Sequence, residues 1–301
     1  MQLTLAQLSQ PARGHLAMLA FSALVAGSFS LGALAAPFVD PAALSALRFL
    51  IAGVLVGVAA LATTGLPRSA FVAPWRYVVL GSLLAAYFVL MFEGLRTAAP
   101  VSTAAVFTLT PVMAAAFGWL MLRQRLTGRM ALALAIGAVG ALWVIFRADW
   151  RAVLGMHVGA GEVTYFWGCV AHAAYAPLVR KLNRGEPAIM FTFGMMVAGT
   201  VLLTLWSWRA IWATHWAALP GIVWVTLAYV AVAASAMTFV LLQYATLRLP
   251  AAKVMAYTYL VPVWVILWEI VLHGAVPPVM VLGGVALTVL ALGLLLKQDE
   301  L

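Results

Sequence analysis

Acidic residues are the scarcest resource in this chain: eight Asp and Glu in 301 residues, with all charged residues together only 8%. A water-soluble protein of this length could not cover its surface with so few charges, which excludes an ordinary soluble domain. The single cysteine, Cys169, lies in an apolar run and excludes a disulfide framework; packing is its expected role. Catalytic signatures are missing as well. There is no His-Glu-x-x-His, no Gly-x-Ser-x-Gly, no Walker-type loop and no paired aspartates, and of the histidines at 15, 157, 172, 215 and 273 only His172 is deep in an apolar segment. An intramembrane enzyme, an ATP-driven pump, a metal site and a bound cofactor are therefore not expected. A channel would need a continuous polar lining and rings of charge, and neither is visible.

Apolar residues make up 66% of the chain, against about 45–50% in soluble domains. They fall into ten runs, near 15–36, 42–63, 74–95, 100–122, 128–147, 160–180, 188–208, 219–244, 251–272 and 278–296. Each is close to the ~20 residues with which a helix crosses a bilayer. Proline or glycine punctuates most joints, among them Pro37, Pro41, Gly65, Pro100, Gly128, Gly185, Pro220, Pro250 and Pro278. No polar–apolar alternation suggests a barrel. The expected fold is an all-α integral membrane protein of ten transmembrane helices.

The central piece of the chain occurs twice. Phe88-Val89-Leu90 recurs 151 residues later as Phe239-Val240-Leu241, and the same offset carries Leu109, Pro111 and Val112 onto Leu260, Pro262 and Val263. A second match, 146 residues apart, carries Pro41-Ala42 and Ala52-Gly53 onto Pro187-Ala188 and Ala198-Gly199. The repeats, 15–147 and 160–296, hold five spans each, an odd number, so the copies must enter the membrane from opposite sides. Inverted repeats of this kind are how carriers build a central site.

The net charge of +9 is topological, because the basic residues lie in short loops and form no helical stripe; nucleic acid is not an expected partner. With the N-terminus inside, the cytoplasmic set is Arg13, Arg68, Arg76, Arg123, Arg125, Arg129, Arg180, Lys181, Arg184, Arg248, Lys253 and Lys297. The outer set is Arg96, Arg147, Arg151 and Arg209. This asymmetry puts both termini in the cytoplasm of an inner (plasma) membrane protein. Arg13, the apolar run from Leu16 and Ala33-Leu34-Ala35 imitate a cleavable secretory signal, but its removal would break the five-plus-five repeat, so an uncleaved first helix is expected. Gln298-Asp299-Glu300-Leu301 imitates an ER-retrieval address, which is read in the lumen and not at a cytoplasmic tail.

Together these features resemble the ten-helix branch of the drug/metabolite transporter superfamily, built from EamA-type half-units. The resemblance covers almost the whole chain. Gly27-Ser28-Phe29 is similar to that family's first-helix small-residue motif, Pro41 with Arg48-Phe49 to its second-helix pattern, Pro111 and Pro262 to its fourth- and ninth-helix prolines, and Tyr175 followed by Arg180-Lys181 to its sixth-helix exit. The chain departs from the family at Gln124 and Ala275, where a Glu is common, and at His172, where many members carry Trp. A role carried by those acids is not transferable. Among the branches, the chain looks most like the exporters of aromatic and other neutral amino acids.

Several side chains are candidates for transport. In the sixth span, His172 shares a face with Gly168, Tyr175 and Val179, a mixture suited to a cavity wall. Thr103, Phe107, Thr110 and Pro111 lie on one side of the fourth span. Pro111 opposes the carbonyl of Phe107 and Pro262 that of Thr258, so a matched pair of kinks is expected near the midplane as gating hinges. Ser235, Thr238, Phe239 and Gln243 form a polar-aromatic face on the eighth span, opposite Tyr87 and Phe88 on its mate, and Tyr257 can join them. Arg48 has two readings, a contact to a substrate carboxylate or a structural bond to carbonyls or to Glu269; the structural charge is the expectation, since its pattern is shared across substrates. Glu93, with Arg96 three residues on, and Glu269 are the proton-coupling candidates.

A nucleotide-sugar or phosphate carrier would need several deep cations, and a cation-drug exporter a deep carboxylate. What remains is a neutral or zwitterionic small molecule, with an aromatic or large apolar side chain, moved by alternating access; export is what the resemblance implies. A multidrug exporter of the same fold is the alternative. The other expected partners are the lipid bilayer and protons, with the chain a monomer or weak dimer. If the orientation holds, tags at either terminus of intact cells stay unreactive to an impermeant label; labelling from outside at either end refutes it.

Overall fold

The computed structural model describes residues 9–65, 71–146, 158–274 and 278–296. Arg68, Arg147, Arg151, His157, Ala275, Lys297 and the tail 298–301 lie outside the described residues. Among the described residues there are ten helical spans: α1 Gln10–Ala35, α2 Pro41–Thr63, α3 Trp75–Gly94, α4 Pro100–Leu122, α5 Gly128–Ile145, α6 Ala160–Leu182, α7 Ala188–Ala213, α8 Gly221–Thr246, α9 Ala251–His273 and α10 Val279–Leu296. Among the described residues, all but α6 are long and apolar enough to cross a bilayer on length and composition. α6 falls short because it carries Glu162, Tyr165, His172, Tyr175, Arg180 and Lys181, several of them buried inside the bundle.

Local chemistry sets the ends. Asp40 caps α2, its carboxylate accepting from the N–H groups of Ala42 and Ala43 at 2.9 Å, with Pro41 in the first turn where its missing N–H costs nothing. Ser9 caps α1 and Pro11 occupies its first turn, so the helix starts at Gln10, five residues before the expected boundary. The consequence is that His15 lies more than a turn inside α1.

Antiparallel packing pairs α3 with α6, α1 with α8, α2 with α7 and α5 with α10. Glycines permit the closest crossings. A Cβ added to Gly81 would stand 2.8 Å from the backbone of Met195 and Gly199 in α7, and one added to Gly284 would stand 2.7 Å from the carbonyl of Gly140. The Gly53–Gly57 pair of α2 also faces α7, with the Phe193 ring filling the space at Gly57.

The inversion is visible in how helix ends are held. On the face that contains the start of α1, here the N-terminal face, Arg76 at the start of α3 is 1% exposed. It donates to the carbonyl of Leu182, the last residue of α6, at 2.7 Å and to Glu186 Oε1 at 2.6 Å. On the opposite face, Thr226 near the start of α8 donates to the Leu31 carbonyl of α1 at 3.0 Å, and Tyr229 donates to that of Leu24 at 2.8 Å. Each half thus satisfies a late turn of a helix in the other.

Burial alone would raise the Glu186 pKa, but hydrogen bonds from Arg76 and from the Arg184 N–H outweigh it and hold the carboxyl below its ordinary range. A depressed carboxylate contributes stability above its unfolded pKa and loses it as pH falls through the folded one. Glu186→Gln is therefore expected to lower the melting temperature at pH 7, with the gap from wild type closing only below the ordinary carboxylate pKa of about 4.3. A gap independent of pH, measured in detergent by fluorescence melting, refutes the contribution.

Candidate functional site

The two proline-bearing spans meet where their helices break. α4 is interrupted between Phe107 and Thr110, and α9 passes through a 3-10 turn at Tyr257–Leu260 before resuming at Val261. The expected kinks are therefore breaks. Pro111 cannot donate to the Phe107 carbonyl, and the Thr110 hydroxyl does so instead at 2.6 Å. Thr110 Oγ1 also lies 3.1 Å from Thr258 Oγ1, so the break in one helix is hydrogen-bonded to the break in the other. From α10, Thr288 donates to the Tyr259 carbonyl at 3.1 Å.

Beside these breaks lies a cluster of rings. His172 of α6 sits 4.4 Å from Tyr87 of α3 and 5.1 Å from Phe107 of α4, centroid to centroid. Tyr175 stacks near it at 6.5 Å and Phe21 of α1 at 6.4 Å. Tyr165 donates to Tyr87 across a 3.1 Å hydroxyl pair, and Phe29 packs on both Phe107 and Tyr165 at 5.9 Å. Such ring pairs contribute about 0.5–1.5 kcal/mol each beyond area burial. His172 Nδ1 is buried with no hydrogen-bond partner among the described residues. The repeat makes this wall one-sided: at the 151-residue offset, Tyr87 and Phe107 correspond to Thr238 and Thr258. Aromatic groups come from α3, α4 and α6, whereas their mates in α8 and α9 carry hydroxyls.

Arg48 borders the same group. Its guanidinium carbon lies 3.5 Å above the Phe88 ring, and Phe88 packs on Tyr87 at 4.5 Å and on Phe239 at 5.5 Å. α8 becomes a π-helix at Val232–Met237, which releases carbonyls from the regular ladder. Arg48 donates Nη2 to the Ala234 carbonyl at 2.6 Å and Nε to Ser235 Oγ, while Ser235 donates on to the Val230 carbonyl at 2.7 Å. A charge at a span centre costs about 2.5–3.5 kcal/mol on insertion scales. Hydrogen bonds from a charged donor, about 1.5–3 kcal/mol each, are large enough to offset that. None of these partners carries a negative charge. The carbonyl half of the expected structural bond is present; the Glu269 half is not, because Glu269 lies on His273 Nδ1 at 3.3 Å.

Related contacts lie at the two ends of the bundle. On the N-terminal face, Leu249 in the α8–α9 loop packs on Gly14 of α1, where an added Cβ would stand 3.1 Å from its side chain. Arg248 donates to Gln10 Oε1 at 2.8 Å, and Arg180 to the Leu249 carbonyl at 3.4 Å. On the opposite face, Ala98 in the α3–α4 loop packs on Gly161 of α6 in the same way, at 2.8 Å, and Ser102 donates to the buried Glu162 at 2.7 Å. Ala98 and Leu249 are mates at the 151-residue offset. A cavity of about 840 Å³ lined by Gln10, Glu186, Tyr244 and Arg248, and another of about 440 Å³ lined by Gln124, Arg180 and Lys253, open on the N-terminal face at either side of this loop. The ring cluster lines neither.

A family model for EamA-like transporters matches the chain twice, over residues 12–146 and 159–297. The chain belongs to the EamA-like transporter family. It is 24% identical over 251 residues to the uncharacterized transporter YyaM of Bacillus subtilis (strain 168), covering 83% of this chain and 82% of that protein. A solved crystal structure superposes with a TM-score of 0.71 at 20% identity, over 95% of this chain and 96% of the other, a likeness of fold alone.

In this EamA-like transporter, His172, Tyr175, Phe107 and Tyr87 come together directly, and Phe239 joins them through Phe88. Thr238 is buried one turn beyond Ser235, with its hydroxyl unpartnered among the described residues. Three candidates stand apart from the ring contacts. Thr103 returns its hydroxyl to the Ala99 carbonyl at 2.9 Å, Tyr257 pairs with His15 Nδ1 at 3.1 Å, and Gln243 is buried further along α8 with neither amide atom partnered among the described residues. Glu93 is half exposed and paired with Arg96 at 3.2 Å. Sequence reasoning missed Tyr165, seven residues before His172 on the face already singled out, where helical spacing could have found it. It also missed Phe29, inside the quoted first-helix motif, and Glu162, whose burial against Ser102 no local pattern reveals.

If the Ser102–Glu162 contact helps close one end, Glu162→Ala should raise by several-fold the rate at which cysteine at His172 reacts with an impermeant thiol reagent from that face, in a Cys169→Ser background. An unchanged rate removes Glu162 from the gate.

Proposed function

We propose that this chain is a secondary transporter in an inner (plasma) membrane, with both termini cytoplasmic, that exports neutral amino acids with aromatic or large apolar side chains, or similar small metabolites. One observation carries the reading: a ring-lined group with few polar atoms lies where the broken helices of the two inverted halves meet, between two gates built from equivalent residues. Such a group suits an apolar side chain, since ligand sites combine apolar walls with a few placed polar groups. The gate contacts are related by the repeat, so opening one while holding the other is a rocking of one half against the other, with breaks at Pro111 and Pro262 as the hinges.

For proton coupling, Glu269 is the better placed of the two acids first considered. Its Oε1 is buried and unpartnered among the described residues, whereas Glu93 is already neutralised at the surface by Arg96. The transporter is read as working as a monomer or weak dimer in the bilayer.

Purified protein in liposomes loaded with unlabelled phenylalanine, leucine or methionine is expected to accumulate the labelled amino acid by saturable counterflow. His172→Ala is expected to weaken that exchange by about tenfold, the scale of one lost packing and hydrogen-bonding group. Counterflow absent for every neutral amino acid tested sinks the reading.

A further inference from the structure

Arg48 is held, but it is not neutralised. The side chain is fully buried, and of its three nitrogens Nε and Nη2 have acceptors while Nη1 has none among the described residues. The described carboxylates near other basic groups are engaged elsewhere: Glu186 with Arg76, Glu93 with Arg96 and Glu269 with His273. Glu162 is bonded to Ser102 in the gate and Asp40 to the first turn of α2. A buried cation with no counter-ion is among the least favourable arrangements in a protein interior, and it becomes favourable when a ligand brings the missing charge.

The surroundings fit such a ligand. Phe88 beneath the guanidinium continues through Tyr87 to His172, so the cation and the ring cluster belong to one contiguous group. The buried hydroxyls that lack partners among the described residues include Ser45, three residues before Arg48 on α2, and Thr238, three residues after Ser235 on α8. Residues three apart lie on the same side of an α-helix, which places Ser45 beside Arg48 on α2. The lock to the π-segment of α8 aims the guanidinium by two of its nitrogens and leaves the third to donate.

We infer that Arg48 Nη1 is the anchor for the carboxylate of the transported molecule, which makes a free carboxylate a requirement for transport. This rests on the amino acid reading above and narrows it: the side chain is accepted by the rings, and the acid group is selected by Arg48. Molecules that present an amine without a carboxylate leave the cation unpaired and add a second positive charge beside it. They are rejected for both reasons.

The test compares L-phenylalanine with L-phenylalaninamide as competitors of labelled phenylalanine counterflow in liposomes. The acid is expected to compete about tenfold or more better than the amide, the scale of one charge-assisted hydrogen bond. In Arg48→Gln that preference is expected to fall to near parity. A purely structural Arg48 lowers both activities and leaves their ratio unchanged, and that result overturns the inference. A second measurement needs no variant: phenylglyoxal modification of Arg48 in the wild-type protein, followed by peptide mass, should be blocked by phenylalanine and not by its amide. Equal protection by both, or no modification of Arg48 under any condition, also overturns it. Equal competition by acid and amide in wild type removes the carboxylate requirement while leaving amino acid transport standing. Absence of any counterflow removes both.

Discussion

Backbone carbonyls released inside a membrane span must find donors within the protein, because no water is there to supply them. Among the described residues, spans whose interior carbonyls are released include α4 and α9 at their breaks and α8 in its π-segment. The donors come from side chains: Thr110 on Phe107, Thr288 on Tyr259 and Arg48 on Ala234. The last bond crosses between the halves, as does the Thr110–Thr258 contact that joins the two breaks. Irregular backbone at the centre therefore adds hydrogen-bonded ties to the helix packing that joins the two inverted copies, and the candidate site stands beside those ties.

The same economy explains the uneven chemistry of the site. Where the helices are broken, side chains approach from α1, α3, α4, α6, α8 and α9, and the repeat offers each position twice. At two of those pairs the first copy carries a ring and the second a hydroxyl, Tyr87 with Thr238 and Phe107 with Thr258, so a symmetric scaffold encloses an asymmetric interior. The gates keep the symmetry that the interior has lost, because a small residue under a loop is all that closure requires: Gly14 under Leu249 at one face and Gly161 under Ala98 at the other. Their latches differ in charge, however. An acid is buried at one face, and arginines serve the other, so opening the two ends breaks chemically different contacts.

Much of the fold was legible in advance. Apolar run length and punctuation located ten spans, and the offset matches paired Pro111 with Pro262 before any contact was known. The site was only partly legible. His172 and Phe107 were found because a polar or aromatic group on an otherwise apolar face stands out, and Tyr165 could have been found by extending the same face one turn. Gln243 and Thr103 stood out equally, yet a hydroxyl can be satisfied by its own helix, as Thr103 is by the Ala99 carbonyl. His273, four residues after Glu269 and so a helical neighbour, pairs with it.

The amino-acid sequence by itself determined the helical class, the number of spans and the duplication, because hydrophobic length and repeated residues are properties of the chain read in order. Only the tertiary structure decided which polar groups are spent and which are left over. The engagement of Arg48 by Ser235 and the burial of Glu162 against Ser102 each join residues far apart in the chain, 187 positions for Arg48 and Ser235 and 60 for Ser102 and Glu162. A buried polar atom is costly or useful according to what lies within hydrogen-bond reach of it, and that is set by packing.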